Sequence, residues 1–227
     1  MEERQTNIKV GAGLDESRLN QDFIDFLKKW SMPVLLVILA GSAAMLGLRK
    51  WGEYKAGQVD QAFLQLDQAE VSGKPENLLR VAEEHSGQRA IPYLASLQAG
   101  DTFLKAARRR IAPGFDLKPD GTPIETEALL SDTQRTEYLG KAGAAYQSVF
   151  DRAKGNPDHA LHTINALFGI AAVAEAKDDF DGASRAYTDI AARATAAGMP
   201  TLAAIADERR TSLTEIQTAP RLYAASE

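Results

Sequence analysis

From Trp30 to Leu48 the chain carries nineteen residues without a charge (WSMPVLLVILAGSAAMLGL), with Lys28-Lys29 before them and Arg49-Lys50 after. At 1.5 Å per residue, Trp30 and Trp51 stand roughly 31 Å apart on a helix, close to the hydrocarbon thickness of a bilayer. Trp30, Trp51 and Tyr54 fit the rims of such a span, because an aromatic ring with a polar edge is served on both sides of the headgroup boundary. The competing readings are a buried core helix and a cleaved signal, for which Ser42-Ala43-Ala44 imitates a processing site. About thirty residues before the apolar run are unusual for a secretory signal, and the run reads as one membrane span. Within it Ala40, Ala43, Ala44 and Gly47 form a small-residue face, of the kind that lets a second helix approach closely in lipid.

Away from the span the apolar positions recur every three or four residues, the helical period. Before it the stripe Leu19, Phe23, Phe26, Leu27 and Trp30 reads either as an interfacial amphipathic helix or as an extension of the spanning one. Pro33 fits the first turn of the span, where a missing N–H costs nothing. After it, Trp51, Tyr54, Val59, Ala62, Phe63, Leu66 and Ala69 continue the pattern to Ser72-Gly73-Lys74-Pro75. One helix is therefore predicted from Pro33 to about Val71, roughly 58 Å long, with Gly52 and Gly57 as its loosest points. Further helices are predicted over Pro75–His85 (Leu78, Leu79 and Ala82 inward), Ala90–Arg110, Thr133–Lys154, Ala160–Lys177, Asp181–Ala197 and Pro200–Gln217. Asp158 is the expected cap of the helix after Gly155-Asn156-Pro157. Pro113-Gly114, Pro119, Asp120-Gly121 and Pro123 break the rhythm, so residues 111–132 are expected to form an exposed insert, with a small hairpin at Asp120-Gly121. The ends, residues 1–16 and 218–227, are expected to be loose.

The fold class is thus all-α: an N-terminal segment with an amphipathic helix (1–29), the span (30–48), a helical domain (49–217) and a flexible tail (218–227). Composition changes this little. Net charge is −5, of which −1 falls before Trp30 and −4 after it. A mildly acidic domain gives no electrostatic reason to expect nucleic acid. Without cysteine there is no disulfide framework, thiol nucleophile or cysteine zinc site. Positive charges balance across the span, so they do not set its orientation.

Little of the chain suggests chemistry. His159 and His162 share a helix face but lack an obvious third metal ligand. His85 reads as a cation at a helix C-terminus, as does the run Arg108-Arg109-Arg110, which also suits phosphate or acidic lipid headgroups. Glu83-Glu84 reads as a solvated face. Gly11-Ala12-Gly13 lacks the rest of a phosphate loop, and no nucleophile elbow or His-Glu-x-x-His motif occurs. No catalysis, cofactor, metal or small-molecule substrate is expected.

Two stretches carry a resemblance. AKDDFDGASRAYTDI, Ala176 to Ile190, resembles the turn and second helix of a tetratricopeptide repeat. Phe180, Ala183, Tyr187 and Ile190 stand at the pattern's packing positions, with Ile170 and Ala171 matching on the first helix and Ala174 departing from it, where the pattern has a bulkier tyrosine. Ala142, Tyr146 and Val149 repeat the theme more weakly. The order FLKKW, span, RKWGEY, then AFLQLDQA…GKPENLLRVAEEHSG…IPYLASLQAGDTF resembles the YfgM-type family of bacterial inner-membrane proteins. That resemblance covers residues 20–108 and, more loosely, 133–217; the insert lies outside it. It implies a cytoplasmic N-terminus, a tetratricopeptide-like periplasmic domain, and ancillary service to the Sec translocon beside a periplasmic chaperone. The alternative is a repeat scaffold for another envelope assembly, such as cytochrome maturation or cell-wall machinery, docking through the insert.

Overall fold

A computed structural model of the chain describes residues 12–115, 118–121 and 123–218, with side chains from residue 21 onward. The expectations for residues 1–11, including Gly11, and for the tail from 219 lie outside the described residues. The chain divides into two units, residues 1–57 and 58–227. It is all-α, with an antiparallel β-bridge between Ile111 and Leu129.

Helix α1, Ala12–Val71, contributes to both units. In the first unit it is already helical at Ala12, within the segment expected to be loose, and the 19–30 stripe continues it. Pro33 therefore stands in the helix interior and not in a first turn. The ring supplies no N–H for the carbonyl of Lys29, a cost the chain accepts in the middle of the helix. The stretch Gln21–Val71 is long and apolar enough to cross a membrane, and none of its most apolar window is buried.

The second unit is a succession of helices joined by short turns, except for the insert between α3 and α4: the end of α1, α2 (Pro75–Glu84), α3 (Ile91–Arg109), α4 (Asp132–Ala153), α5 (Ala160–Ala176), α6 (Phe180–Ala196) and α7 (Pro200–Thr218). From α2 onward each packs on the next, and α3 also packs on α5. Short connections make consecutive helices antiparallel neighbours. Alanine supplies half of the buried hydrophobic positions, which lets helix backbones come close. Ala62, Leu66 and Ala69 of α1 form one cluster with Leu78, Val81 and Ala82 of α2 and Ile91, Ala95 and Ala99 of α3. Val81, beside the expected inward residues Leu79 and Ala82, is 1% exposed.

Local chemistry sets the turns. Gly73, at φ +65°, ends α1 in the left-handed conformation that glycine adopts without steric cost, and Pro75 opens α2. Ser131 and Gln134 cap α4 reciprocally: Gln134 N–H donates to Ser131 Oγ (3.3 Å), and Ser131 N–H to Gln134 Oε1 (2.9 Å). Asp179 Oδ1 accepts from Gly182 N–H at 2.9 Å and caps α6. The expected cap at Asp158 is corrected: Asn156 Oδ1 accepts the Asp158 N–H (3.0 Å), opening a 3-10 turn over Pro157–His159 ahead of α5. The asparagine sits before the proline, where the chain is held extended and free to turn its side chain onto the following amides.

The insert is also corrected. Its base is an ordered clamp in which Ala112 N–H donates to Ala128 C=O (2.7 Å) and Leu130 N–H to Arg110 C=O (2.9 Å). A 3-10 turn over Thr126–Ala128 follows the proline-rich part. Ala128 and Leu130 are 0% and 7% exposed, so the returning limb belongs to the core. Glycine and proline frequency hid this because the apolar residues of so short a limb have no period to display. At Asp120-Gly121 there is a turn, Gly121 N–H to Lys118 C=O at 2.9 Å.

Candidate functional site

In the first unit Trp30, Trp51 and Tyr54 are exposed, as are Ala40, Ala43, Ala44 and Gly47. A Cβ added at Gly47 would meet nothing within 4 Å, so the small-residue face is free to be covered. Phe26 stacks on Trp30 at 6.2 Å between ring centroids. Lys55 lies 5.5 Å over the Trp51 ring, and Arg49 and Lys50 both reach Glu53, at 3.1 and 2.9 Å. The cations after the apolar run thus share one carboxylate and one indole.

In the second unit two tyrosines organise the packing. Tyr146 of α4 is 1% exposed and lies between Gly100 of α3 and Gly169 of α5. A Cβ at Gly100 would fall 2.7 Å from the ring, and one at Gly169 closer still. The Tyr146 hydroxyl donates to Asp101 Oδ1 at 2.6 Å. Tyr187 of α6 is 4% exposed, in a cluster with Ile164, Ala171, Ala183, Ile190 and Ala206, and donates to Glu175 Oε1 at 2.6 Å. Burial first, and then the neighbouring carboxylate, pushes both phenols far above their usual titration range. Arg108, 3.8 Å from Glu175, and Arg209 of α7 act against that shift at Tyr187. Phe180 is half-buried, while Ala183, Tyr187 and Ile190 are all buried on α6. The two glycines escape sequence reading because mid-helix glycine is ordinarily a cost, about 1 kcal/mol against alanine. Their signal is that cost: a glycine kept inside a helix implies a close neighbour.

The three arginines at the end of α3 diverge. Arg108 meets Glu175, Arg110 meets Asp132 at 2.7 Å, and Arg109 lines a cleft of about 300 Å³ with Lys105, Glu70, Ile111, Pro113 and Phe115. They do not form one cationic grip. A second cleft, about 500 Å³, is lined by Pro157, Ala160, Thr163, Arg193 and Met199. Beside it Lys154 and Arg193 each sit 5.3 Å over the ring of Phe150.

The histidines take part in packing. His159 and His162 both lie against Tyr93 of α3, each ring 4.9 Å from it, and 5.9 Å from one another. Burial, with the neighbouring His159, lowers the affinity of His162 for a proton. No group of three His, Cys, Asp or Glu side chains suited to a metal ion gathers among the described residues. His85, expected as a dipole partner, instead shares a 2.6 Å hydrogen bond with Gln65 and ties α2 back to α1.

Compared with known family models, curated proteins and solved structures, the chain matches none.

Proposed function

We propose that the protein is a non-catalytic, membrane-anchored interaction protein. In this reading the apolar part of α1 spans a bacterial inner membrane, with the N-terminus cytoplasmic. The helical domain is a periplasmic tetratricopeptide-like stack and an ancillary subunit of the Sec translocon, working beside a periplasmic chaperone. The observation that best supports it is the union, in one chain, of an unburied and uncharged helical run with helix pairs closed around tyrosines in glycine and alanine sockets. The order of residues that resembles YfgM-type proteins supplies the partner. Ser86, exposed in the turn after α2, gives the test. A Ser86→Cys variant, which places the sole thiol of the chain there, should react with a membrane-impermeant maleimide in cells with a permeabilised outer membrane. The intact protein should sediment with membranes and copurify with the translocon channel in mild detergent. Protection of the introduced thiol until the inner membrane is breached, or purification without the channel, overturns the topology or the partner respectively.

The clamped base of the insert favours a second reading, a scaffold for another envelope assembly that docks through the insert. Because Ala128 and Leu130 are buried, the informative change is replacement of residues 115–124 by a short Gly-Ser linker. Loss of every partner on that replacement favours the second reading; unchanged partners remove it.

A further inference from the structure

A stack of helices has two end faces, and each must be polar or be covered. At the α7 end the outward residues are Thr201, Ala204, Glu208, Thr211 and Glu215, with Ile205 and Ile216 on the flank. At the other end, over residues 58–71 of α1, the face opposite Ala62, Leu66 and Ala69 carries Leu64 and Val71, 61% and 89% exposed. They are seven residues apart and fall on one side of the helix, with Asp60 and Asp67 beside them and Phe63, 43% exposed, on the same flank. The stretch from Gln58 to Val71 has no lysine or arginine, and among the described residues neither aspartate has an ion-pair partner. The result is an apolar stripe edged by unneutralised carboxylates.

We infer that this outer face of α1 is a docking surface for a partner helix carrying an apolar stripe flanked by lysine or arginine. The charge pattern selects that occupant. A second copy packed in parallel would set Asp60 and Asp67 against their own counterparts, and an anionic lipid surface would be repelled by the same pair. A basic amphipathic helix satisfies both features, since its long side chains lay their methylene stems over Leu64 and Val71 while their charged ends reach the aspartates. The translocon reading makes no use of this surface, so the two stand or fall separately.

The test uses the full-length protein in a non-ionic detergent and two fluorescein-labelled helical peptides of about five turns, about 18 residues. Both have the same leucine stripe, flanked in one by lysine and in the other by glutamate. Fluorescence anisotropy at low salt should show the lysine peptide binding about tenfold more tightly, the scale of a few exposed attractions exchanged for repulsions. Asp60→Lys with Asp67→Lys should reverse the preference. Leu64→Glu, at an exposed position that leaves the thermal melt unchanged, should abolish it, and Glu208→Lys on α7 should leave it intact. Carbodiimide coupling should join the lysine peptide to Asp60 or Asp67, read by mass spectrometry. Equal binding of the two peptides, binding of neither, or binding indifferent to Leu64→Glu overturns the inference. So does disulfide-linked dimerisation of a Leu64→Cys variant, which would assign the face to a second copy.

Discussion

Tyr146 and Tyr187 hold corresponding places in successive helix pairs, yet their sockets differ. Both rings are buried and both hydroxyls donate to a carboxylate at 2.6 Å, Asp101 for one and Glu175 for the other. Around Tyr146 the walls are Gly100 and Gly169, so two backbones press directly on the ring. Around Tyr187 the small residues are alanines, Ala171, Ala183 and Ala206, and Phe168 meets the ring edge-on at 6.2 Å. A glycine wall has no side chain that can yield. Side chains with rotamers to spare lie in both clusters, Leu104 and Leu139 with Tyr146 and Leu167 and Leu213 with Tyr187, so the difference lies in the two backbone walls. The junction of α3, α4 and α5 should therefore be the stiffer of the two, and the α5–α7 end the more forgiving.

The harshest way to break that contrast is truncation. Tyr146→Ala should cost about 3–5 kcal/mol in chemical denaturation, and Tyr187→Ala should fall at or below the low end of that range, because its neighbours can partly fill the space. Equal losses would mean the sockets relax alike. Next comes overpacking. Gly169→Ala should destabilise by about 1–3 kcal/mol even though alanine is the better helix former, whereas Ala171→Gly in the other socket should cost only about 1 kcal/mol. A milder cut removes each hydroxyl. Tyr146→Phe should lose about 1 kcal/mol, the net value of one hydrogen bond, and Tyr187→Phe somewhat less, since Glu175 keeps Arg108 nearby. Denaturant midpoints at neutral pH check all of these.

The smallest expected effect lies at the other end of α5. His162 has its proton affinity lowered in the fold, so the unfolded chain binds the proton first as the solution is acidified. Stability is unaffected above the unfolded imidazole value, about 6.5. It falls as pH drops from there through the lower folded value. The wild-type midpoint should therefore decrease slightly between about pH 7.5 and about pH 5.5, and His162→Phe, which keeps a ring against Tyr93, should flatten that slope.

Much of this was legible from periodicity. The apolar stripe after Trp51, the alanines of α5 and α6, and the stop at Gly73-Lys74-Pro75 place the end of α1 and both ends of α2 to α7 to within a residue or two, while the start of α1 lies well before the expected Pro33. What stayed hidden is what local pattern does not encode. Gly100 and Gly169 look like blemishes until the ring of a third helix is brought between them. Nothing in the local pattern marks Asn156 as the cap, since it is one of two polar residues flanking Pro157. Ala128 and Leu130 read as loop because burial of a short limb is decided by tertiary pairing with Arg110 and Ala112. Arg108, Arg109 and Arg110 look like one patch in sequence, yet consecutive positions on a helix end point in different directions.

The clamp at the foot of the insert has a practical corollary. With Ile111 held against Leu129, the chain leaves and rejoins the stack at nearly one point. Lengthening a flexible loop whose ends are already joined costs little, about 0.6 kcal/mol for each doubling. The turn at Asp120-Gly121 is thus a natural graft position, where an epitope or a fluorescent protein can be threaded in while the helices that the clamp joins keep their register.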